Sequence, residues 1–173
     1  VGMLTDTGSF RFPSVTPKTH RVVAQLIERG ADHSTIYGNV YNTSTINRLH
    51  LLGQALNNLV VLPEYHTAYM TLSQQELQQF NFQKGDTKGF VNYALTIQGI
   101  KFAVIMIEDK DEHFVKLSLR SVGDFSVNEL ARIHFHGGGH TNAAGGKHMG
   151  TLSEAIQKLK DILPQFQQAL TTS

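Results

Sequence analysis

The sequence predicts an α/β chain whose larger, C-terminal lobe is α+β, and three observations carry that expectation. Apolar residues recur at helical spacing up to Pro63, after which strand-like stretches set in. Lys101–Glu108 (KFAVIMIE) and Phe114–Arg120 (FVKLSLR) read as two strands forming a hairpin around the charged turn Asp109–Glu112. Three capping boxes, Ser73–Glu76, Ser126–Glu129 and Thr151–Glu154, open helices between and after the strands.

Each element follows in chain order. Residues 1–5 read as the end of a buried strand, with Asp6-Thr7-Gly8 as its turn. Thr16-Pro17 opens a helix, Thr as N-cap and Pro in the first turn, and Val22, Val23, Leu26 and Ile27 follow at helical spacing up to Gly30. Asp32 caps a short helix containing Ile36, Val40 and Tyr41. Ser44 begins a longer one, in which Ile46, Leu49, Leu52, Leu56 and Leu59 form a single stripe ended by Pro63. That stripe suits a linker helix at 44–63 between a first domain at 1–43 and a second at 64–173. In the second, Tyr65–Leu72 reads as a strand, Ser73 to about Phe80 as a short helix, Gln83–Lys88 as a polar loop and Gly89–Ile97 as helical. The strand pair comes next, then a helix from Ser126 to about His134. A last helix runs from Thr151 to about Leu170, kinked at Pro164. A mixed or mostly antiparallel sheet covered by helices results.

Composition bounds the function. With 173 residues, 40% hydrophobic and 17% charged, the chain can bury a substantial core. A net charge of +1 means that any affinity for nucleic acid must come from a local patch. The absence of cysteine excludes disulfides, thiolate metal sites and a Cys nucleophile. No apolar run approaches the roughly 20 residues of a spanning helix. The opening Val1-Gly-Met-Leu-Thr has neither an initiator Met nor a signal-peptide pattern. The expectation is therefore a cytoplasmic fragment of a longer chain, without membrane contact.

Two stretches carry chemistry. His136-Gly137-Gly138-Gly139-His140-Thr141-Asn142 is a glycine run whose backbone amides can cradle an anion while the imidazole of His140 donates to it. A plain turn, or a zinc site at His136, His140 and His148, are the competing readings. On the strand 114–121, Lys116, Ser118 and Arg120 share one face and apolar Val115, Leu117 and Leu119 the other. The first set faces solvent or a ligand, and the forked guanidinium of Arg120 suits phosphate. Asp6 reads as a turn residue or as a metal-binding carboxylate at a strand end. An aspartic-protease dyad would need a second Asp-Thr-Gly or a homodimer, and the predicted helix content opposes it.

The strand Ser118-Leu-Arg-Ser121, the run Phe135-His-Gly-Gly-Gly-His-Thr-Asn-Ala-Ala-Gly-Gly146 and the segment Gly89-Phe-Val-Asn92 together resemble the DHH-associated C-terminal domain. Leu4-Thr-Asp6-Thr-Gly8-Ser-Phe-Arg-Phe12 resembles the last metal-binding motif of the DHH phosphoesterase domain that precedes it. The nano-RNase and pAp-phosphatase branch is the nearest in pattern. The resemblance implies that 1–43 is the remnant of a doubly wound α/β DHH domain and that 64–173 binds substrate. It implies a metal-dependent, manganese-using exonuclease or phosphodiesterase that hydrolyses short RNA or nucleotide phosphates. Asp6 matches a metal ligand; Ser118, Arg120, Gly137, Gly138, Gly139 and His140 match the substrate-grasping surface. Two departures stand out: His136 takes a position often held by glycine, and the paired-aspartate and Asp-His-His motifs are absent. One Asp does not hold a divalent ion. The fragment by itself is therefore expected to bind substrate without a complete catalytic centre. The alternative is a nucleotide- or nucleic-acid-binding module without hydrolytic activity. The natural substrate, an oligoribonucleotide, pAp or a cyclic-dinucleotide product, stays open, and a homodimer is compatible with the pattern.

Overall fold

The computed structural model describes residues 1–10, 15–109 and 113–172. Backbone contacts divide the chain into two units, Val1–Thr45 and Ile46–Ser173. The described residues of the first form three helices, α1 (Gly2–Asp6), α2 (Pro17–Glu28) and α3 (His33–Tyr41). Helix α2 starts at a reciprocal box between Thr16 and Thr19, and the Asp32 carboxylate accepts from the amides of Ser34 and Thr35 at α3. These starts fall where the sequence places them. Residues 1–5 do not: they form α1 instead of a strand. The Thr7 hydroxyl bonds back to the Met3 carbonyl, and the Tyr41 hydroxyl donates to Leu4 O at 3.1 Å. Arg11 and Phe12 of the Asp6 motif lie outside the described residues.

The second unit begins with α4 (Ile46–Asn57) and contains a six-stranded mixed sheet. The strands are β1 (Val60–Leu62), β2 (Thr67–Leu72), β3 (Phe102–Glu108), β4 (Phe114–Ser121), β5 (Gly138–His140) and β6 (Ala143–Met149), in spatial order β1-β2-β3-β4-β6-β5. Among the described strands only β2 and β3 pair in parallel, as the crossover through α5 (Gln74–Gln79) and α6 (Val91–Ala94) requires. Helices α7 (Val127–His134), α8 (Leu152–Ile162) and α9 (Gln167–Thr172) complete the unit. The single helix expected from Thr151 to about Leu170, kinked at Pro164, is instead broken there: a short 3-10 turn, Leu163–Phe166, separates α8 from α9. Residues 110–112 of the charged turn lie outside the described residues.

The sheet separates two cores, which explains the run KFAVIMIE. Ala103, Ile105 and Ile107 enter one core with Leu51, Ala55, Met70, Leu77 and Phe90. Phe102, Val104 and Met106 enter the other with Leu117, Leu130, Phe135 and Leu159. A central strand buried on both faces has no polar side, so its sequence does not alternate. Strand β4 does alternate, because only its Val115, Leu117 and Leu119 face is covered.

Three expectations change here. The 44–63 helix stops at Asn57, and Val60–Leu62 pairs antiparallel with β2. Leu51 and Ala55 are fully buried in the second unit's core, so α4 is an integral wall of that unit. The helical stretch expected at Gly89–Ile97 shrinks to the single turn Val91–Ala94. The glycine run, read as a loop, forms the hairpin β5–β6 at the sheet edge.

Candidate substrate-binding groove

Register fixes where the predicted residues lie. Strand β4 pairs β6 with Arg120 opposite Ala143 and Ser118 opposite Gly145. Strand β6 pairs β5 with Ala143 opposite His140 and Gly145 opposite Gly138. Arg120 and His140 therefore occupy one row of the sheet, and Ser118 and Gly138 the next. The β4 and glycine-run residues, separated by 16 or more positions in sequence, are neighbours across three strands.

The glycines answer a packing demand. A Cβ on Gly137 would lie 2.0 Å from the Gly145 carbonyl oxygen, and one on Gly139 2.4 Å from the Ala143 oxygen. One on Gly146 would lie 2.8 Å from the Phe135 side chain and carbonyl. Gly138 has ordinary room, its nearest neighbour being Asn128 Oδ1 at 3.5 Å. Two of the amides expected to cradle an anion are already engaged: Gly137 N–H donates to Ala131 O at 3.1 Å and Gly139 N–H to Asn128 Oδ1 at 2.9 Å. Helix α7 thus holds the hairpin in place. Asn142, in the turn between β5 and β6, donates to Ser121 Oγ and to Gly123 O, both at 2.9 Å.

Arg120 is different in kind. Its guanidinium is half-buried and donates to carbonyls, Leu119 O at 2.8 Å and Ala144 O at 3.5 Å. Burial lowers its pKa below the ordinary arginine value, and no carboxylate acts in the other direction. Among the described residues no carboxylate pairs with it. A desolvated cation without a counter-ion is costly unless an anion completes it.

Arg120, Ser118 and Lys116 form one side of an open groove of about 780 Å³. The rest comes from α5, from the end of β3 and from the 81–89 loop, including Lys84 and Lys88. Sequence reasoning treated that loop as a polar connection; its pair of lysines beside Gly85 and Gly89 was the available signal. The glycine hairpin and His140 do not line this groove; they adjoin it through β6.

The described residues do not make a metal site. Among the described residues no three His, Asp or Glu side chains gather to hold an ion, so the three-histidine zinc reading finds no support in geometry. Asp6 is exposed at the end of α1, where its Oδ1 accepts from the Thr5 hydroxyl at 3.2 Å. No described helix is long and apolar enough to cross a membrane.

Residues 64–170 match the DHHA1 domain. The chain belongs to the DHHA1 family. An exopolyphosphatase-related protein from Bacteroides fragilis superposes with a TM-score of 0.94 at 39% identity, over 98% of this chain and 49% of that one. The bifunctional oligoribonuclease and PAP phosphatase NrnA of Bacillus subtilis is 31% identical over 144 residues, 83% of this chain and 44% of that protein. The NrnA of Thermus thermophilus is 30% identical over 159 residues, 91% and 46% of the two chains. This DHHA1 protein therefore spans about half the length of the relatives that it matches. The DHHA1 match begins at Glu64, so α4 and β1, which build the same sheet and core, precede the family segment.

Proposed function

We propose that this chain is the substrate-binding part of a phosphoesterase acting on short oligoribonucleotides or nucleotide phosphates, with Arg120 holding a substrate phosphate. The observation that carries the reading is the half-buried Arg120 guanidinium without a carboxylate partner among the described residues, opening on a groove in a DHHA1 domain. The NrnA names of two relatives support the substrate class. Ser118, two residues earlier on the same strand face, offers a hydroxyl to the same anion. His140, in the Arg120 row, adds an imidazole donor from the hairpin side, and Gly138, whose Cβ position is open, lets a ligand approach the backbone.

In this reading residues 1–43 belong to the DHH catalytic lobe. Asp6 contributes one carboxylate to a divalent-metal site, manganese by family pattern, whose remaining ligands lie elsewhere in the whole protein. In this reading the described residues bind and orient the substrate.

The test is a titration of the chain with a nucleotide monophosphate in the absence of metal. A charge-assisted hydrogen bond contributes about 1.5–3 kcal/mol, so Arg120→Ala weakens binding by about 10- to 150-fold. Unchanged affinity in Arg120→Ala would overturn the assignment. Lys116→Ala, on the same strand face but more exposed than Arg120, is expected to change affinity by less than about threefold.

A further inference from the structure

On the face of the sheet turned away from the groove, four side chains that carry or can gain positive charge gather near the end of β6. His148 lies opposite Val115 in the β4–β6 ladder, and Val115 enters the core that contains Leu130 of α7 and Leu159 of α8. Residues directly opposed across a ladder share a face, so His148 is on the covered side and not on the Lys116 side that lines the groove. His134 ends α7, His136 stands two residues further on, and Lys158 comes from α8. Lys158 is half-buried, its Nζ 5.4 Å from the ring centroid of Phe135, which is fully buried. The charge of Lys158 acts on both His134 and His148, and that of His136 on His148.

Among the described residues these four side chains make no hydrogen bond and no ion pair. His134 meets the Phe166 ring edge-on, with 5.8 Å between centroids. The carboxylate that acts on the cluster, Glu154, is held elsewhere: its Oε2 accepts from the Thr151 amide at 2.7 Å and from the Thr151 hydroxyl at 2.9 Å, closing the cap of α8. Nearby charges are turned to other partners: Lys147 lies over Phe114, Arg132 donates to Asn128, and Asp161 accepts from Gln157. Burial, then Lys158, lowers the pKa of each histidine, and Glu154 opposes this at His148 without reversing it. Donors that repel one another and have no acceptor are completed by an anion. The backbone at His136 adds to this: its φ of +47° lies in the left-handed region that favours glycine. That conformation is held by the Gly137 amide on Ala131 O at 3.1 Å and by the Lys147 amide on Phe135 O at 2.7 Å.

We infer that His134, His136, His148 and Lys158 form a second anion site, separate from the Arg120 groove, which takes a compact oxyanion such as inorganic phosphate and holds it more tightly as the histidines gain protons. Phe135 is buried and already covered by Lys158, so no ring is left there to receive a base. Binding draws protons onto the imidazoles, and affinity therefore rises as pH falls. The site stands whether or not Arg120 holds a phosphate.

Sulfate is the first probe, because its charge does not change over the pH range used. The 173-residue chain is titrated at about pH 5.5 and about pH 8, chloride keeping the ionic strength constant, and the imidazole resonances of His134 and His148 are followed by NMR. They shift saturably at the lower pH, with an affinity at least about 10-fold above that at the higher pH. Lys158→Gln weakens binding by about 10-fold or more, and Lys158→Arg keeps it. His136→Gly relieves the backbone, so the chain stays folded, and still weakens binding by about threefold or more. If a thermal melt shows Lys158→Gln to be unfolded, His136→Gly decides alone. Arg120→Ala leaves the titration unchanged. Inorganic phosphate displaces sulfate, and adenosine 5′-monophosphate binds here no more tightly than inorganic phosphate. Shifts that grow without saturating overturn the inference, as do equal affinity at the two pH values and an unaltered titration in His136→Gly. Loss of the response in Arg120→Ala, or a preference of about 10-fold or more for the nucleotide, overturns it as well.

Discussion

A methyl group on Gly137 would sit 2.0 Å from the Gly145 carbonyl oxygen, and one on Gly146 2.8 Å from Phe135, itself fully buried. Neither neighbour is the free end of a side chain, so backbone must move. Gly137→Ala and Gly146→Ala are each expected to cost about 1–3 kcal/mol or more, whereas Gly138→Ala stays within about 0.5 kcal/mol. Urea unfolding of the three variants checks the ordering, and a Gly138→Ala variant as unstable as the others would refute it. Titratable residues act at the same scale. Burial, then the nearby Lys158 charge, lowers the pKa of His134 below its ordinary 6.5; the same two causes lower His148, with Glu154 opposing. The folded state then binds fewer protons than the unfolded one, so stability falls as pH drops below about 6.5 toward the lowered values. At Glu76 burial raises the pKa, but hydrogen bonds from Asn58, Ser73 and Gln54 outweigh it. At Glu154 the Thr151 amide and hydroxyl lower it. Stability from these carboxylates is present above their ordinary 4.5 and is lost as pH falls through the lowered folded values. Melting temperature against pH should show two declines, and His134→Gln with His148→Gln should abolish only the upper one.

Glu76 shows how elements are joined. Its carboxylate accepts from Ser73 N at 2.7 Å and Ser73 Oγ at 2.8 Å, closing the box that starts α5. It also accepts from Gln54 Nε2 at 2.9 Å and Asn58 Nδ2 at 2.7 Å, both on or just after α4. Asn58 in turn donates to Thr71 O of β2 at 3.0 Å, so one carboxylate ties two helices to a strand. Glu76→Gln keeps the shape but loses charge and one acceptor oxygen. It is expected to cost about 1.5–3 kcal/mol, read from chemical unfolding, and a change below about 0.5 kcal/mol would count against the tie. The box itself was legible in the sequence, as were the starts of α2, α3, α7 and α8, because a capping residue signals through local chemistry. The central strands were legible through their apolar runs. What was not legible depends on distant partners. Val60–Leu62 continues the apolar stripe of α4, and only pairing with β2 makes it a strand. The glycine run from His136 to Gly146 reads as a loop or turn because glycine disfavours strands locally; its pairing with β4 and its contact with Phe135 override that preference. Of the candidate site, Ser118 and Arg120 were visible as the polar face of an alternating strand. Lys84 and Lys88 were not, since the groove that they share with β4 arises from the crossover between β2 and β3.

At the scale of the whole molecule, every residue of both hydrophobic cores lies between Leu51 and Leu170. All six strands and all the groove residues fall within the second unit. The first unit has a different character: none of its described residues is buried, and Val22, Leu26, Ile27, Tyr37 and Tyr41 are all exposed. Its longest helix, α2, has 12 residues, at the lower edge of what persists in water without tertiary packing, roughly 12–15. Caps at Thr16 and Asp32 add about 1 kcal/mol each, too little to replace a core. Residues 46–173 expressed alone are therefore expected to unfold in one cooperative transition and to give dispersed methyl resonances from Leu117, Leu119 and Leu130. They are also expected to bind a nucleotide monophosphate with the affinity of the 173-residue chain, because Arg120 and its groove are intact. A peptide of residues 1–45 should show a shallow, non-cooperative loss of helicity on heating. Collapsed methyl resonances in 46–173, or a sharp melt in 1–45, would show that the first unit carries stability that its own packing does not supply.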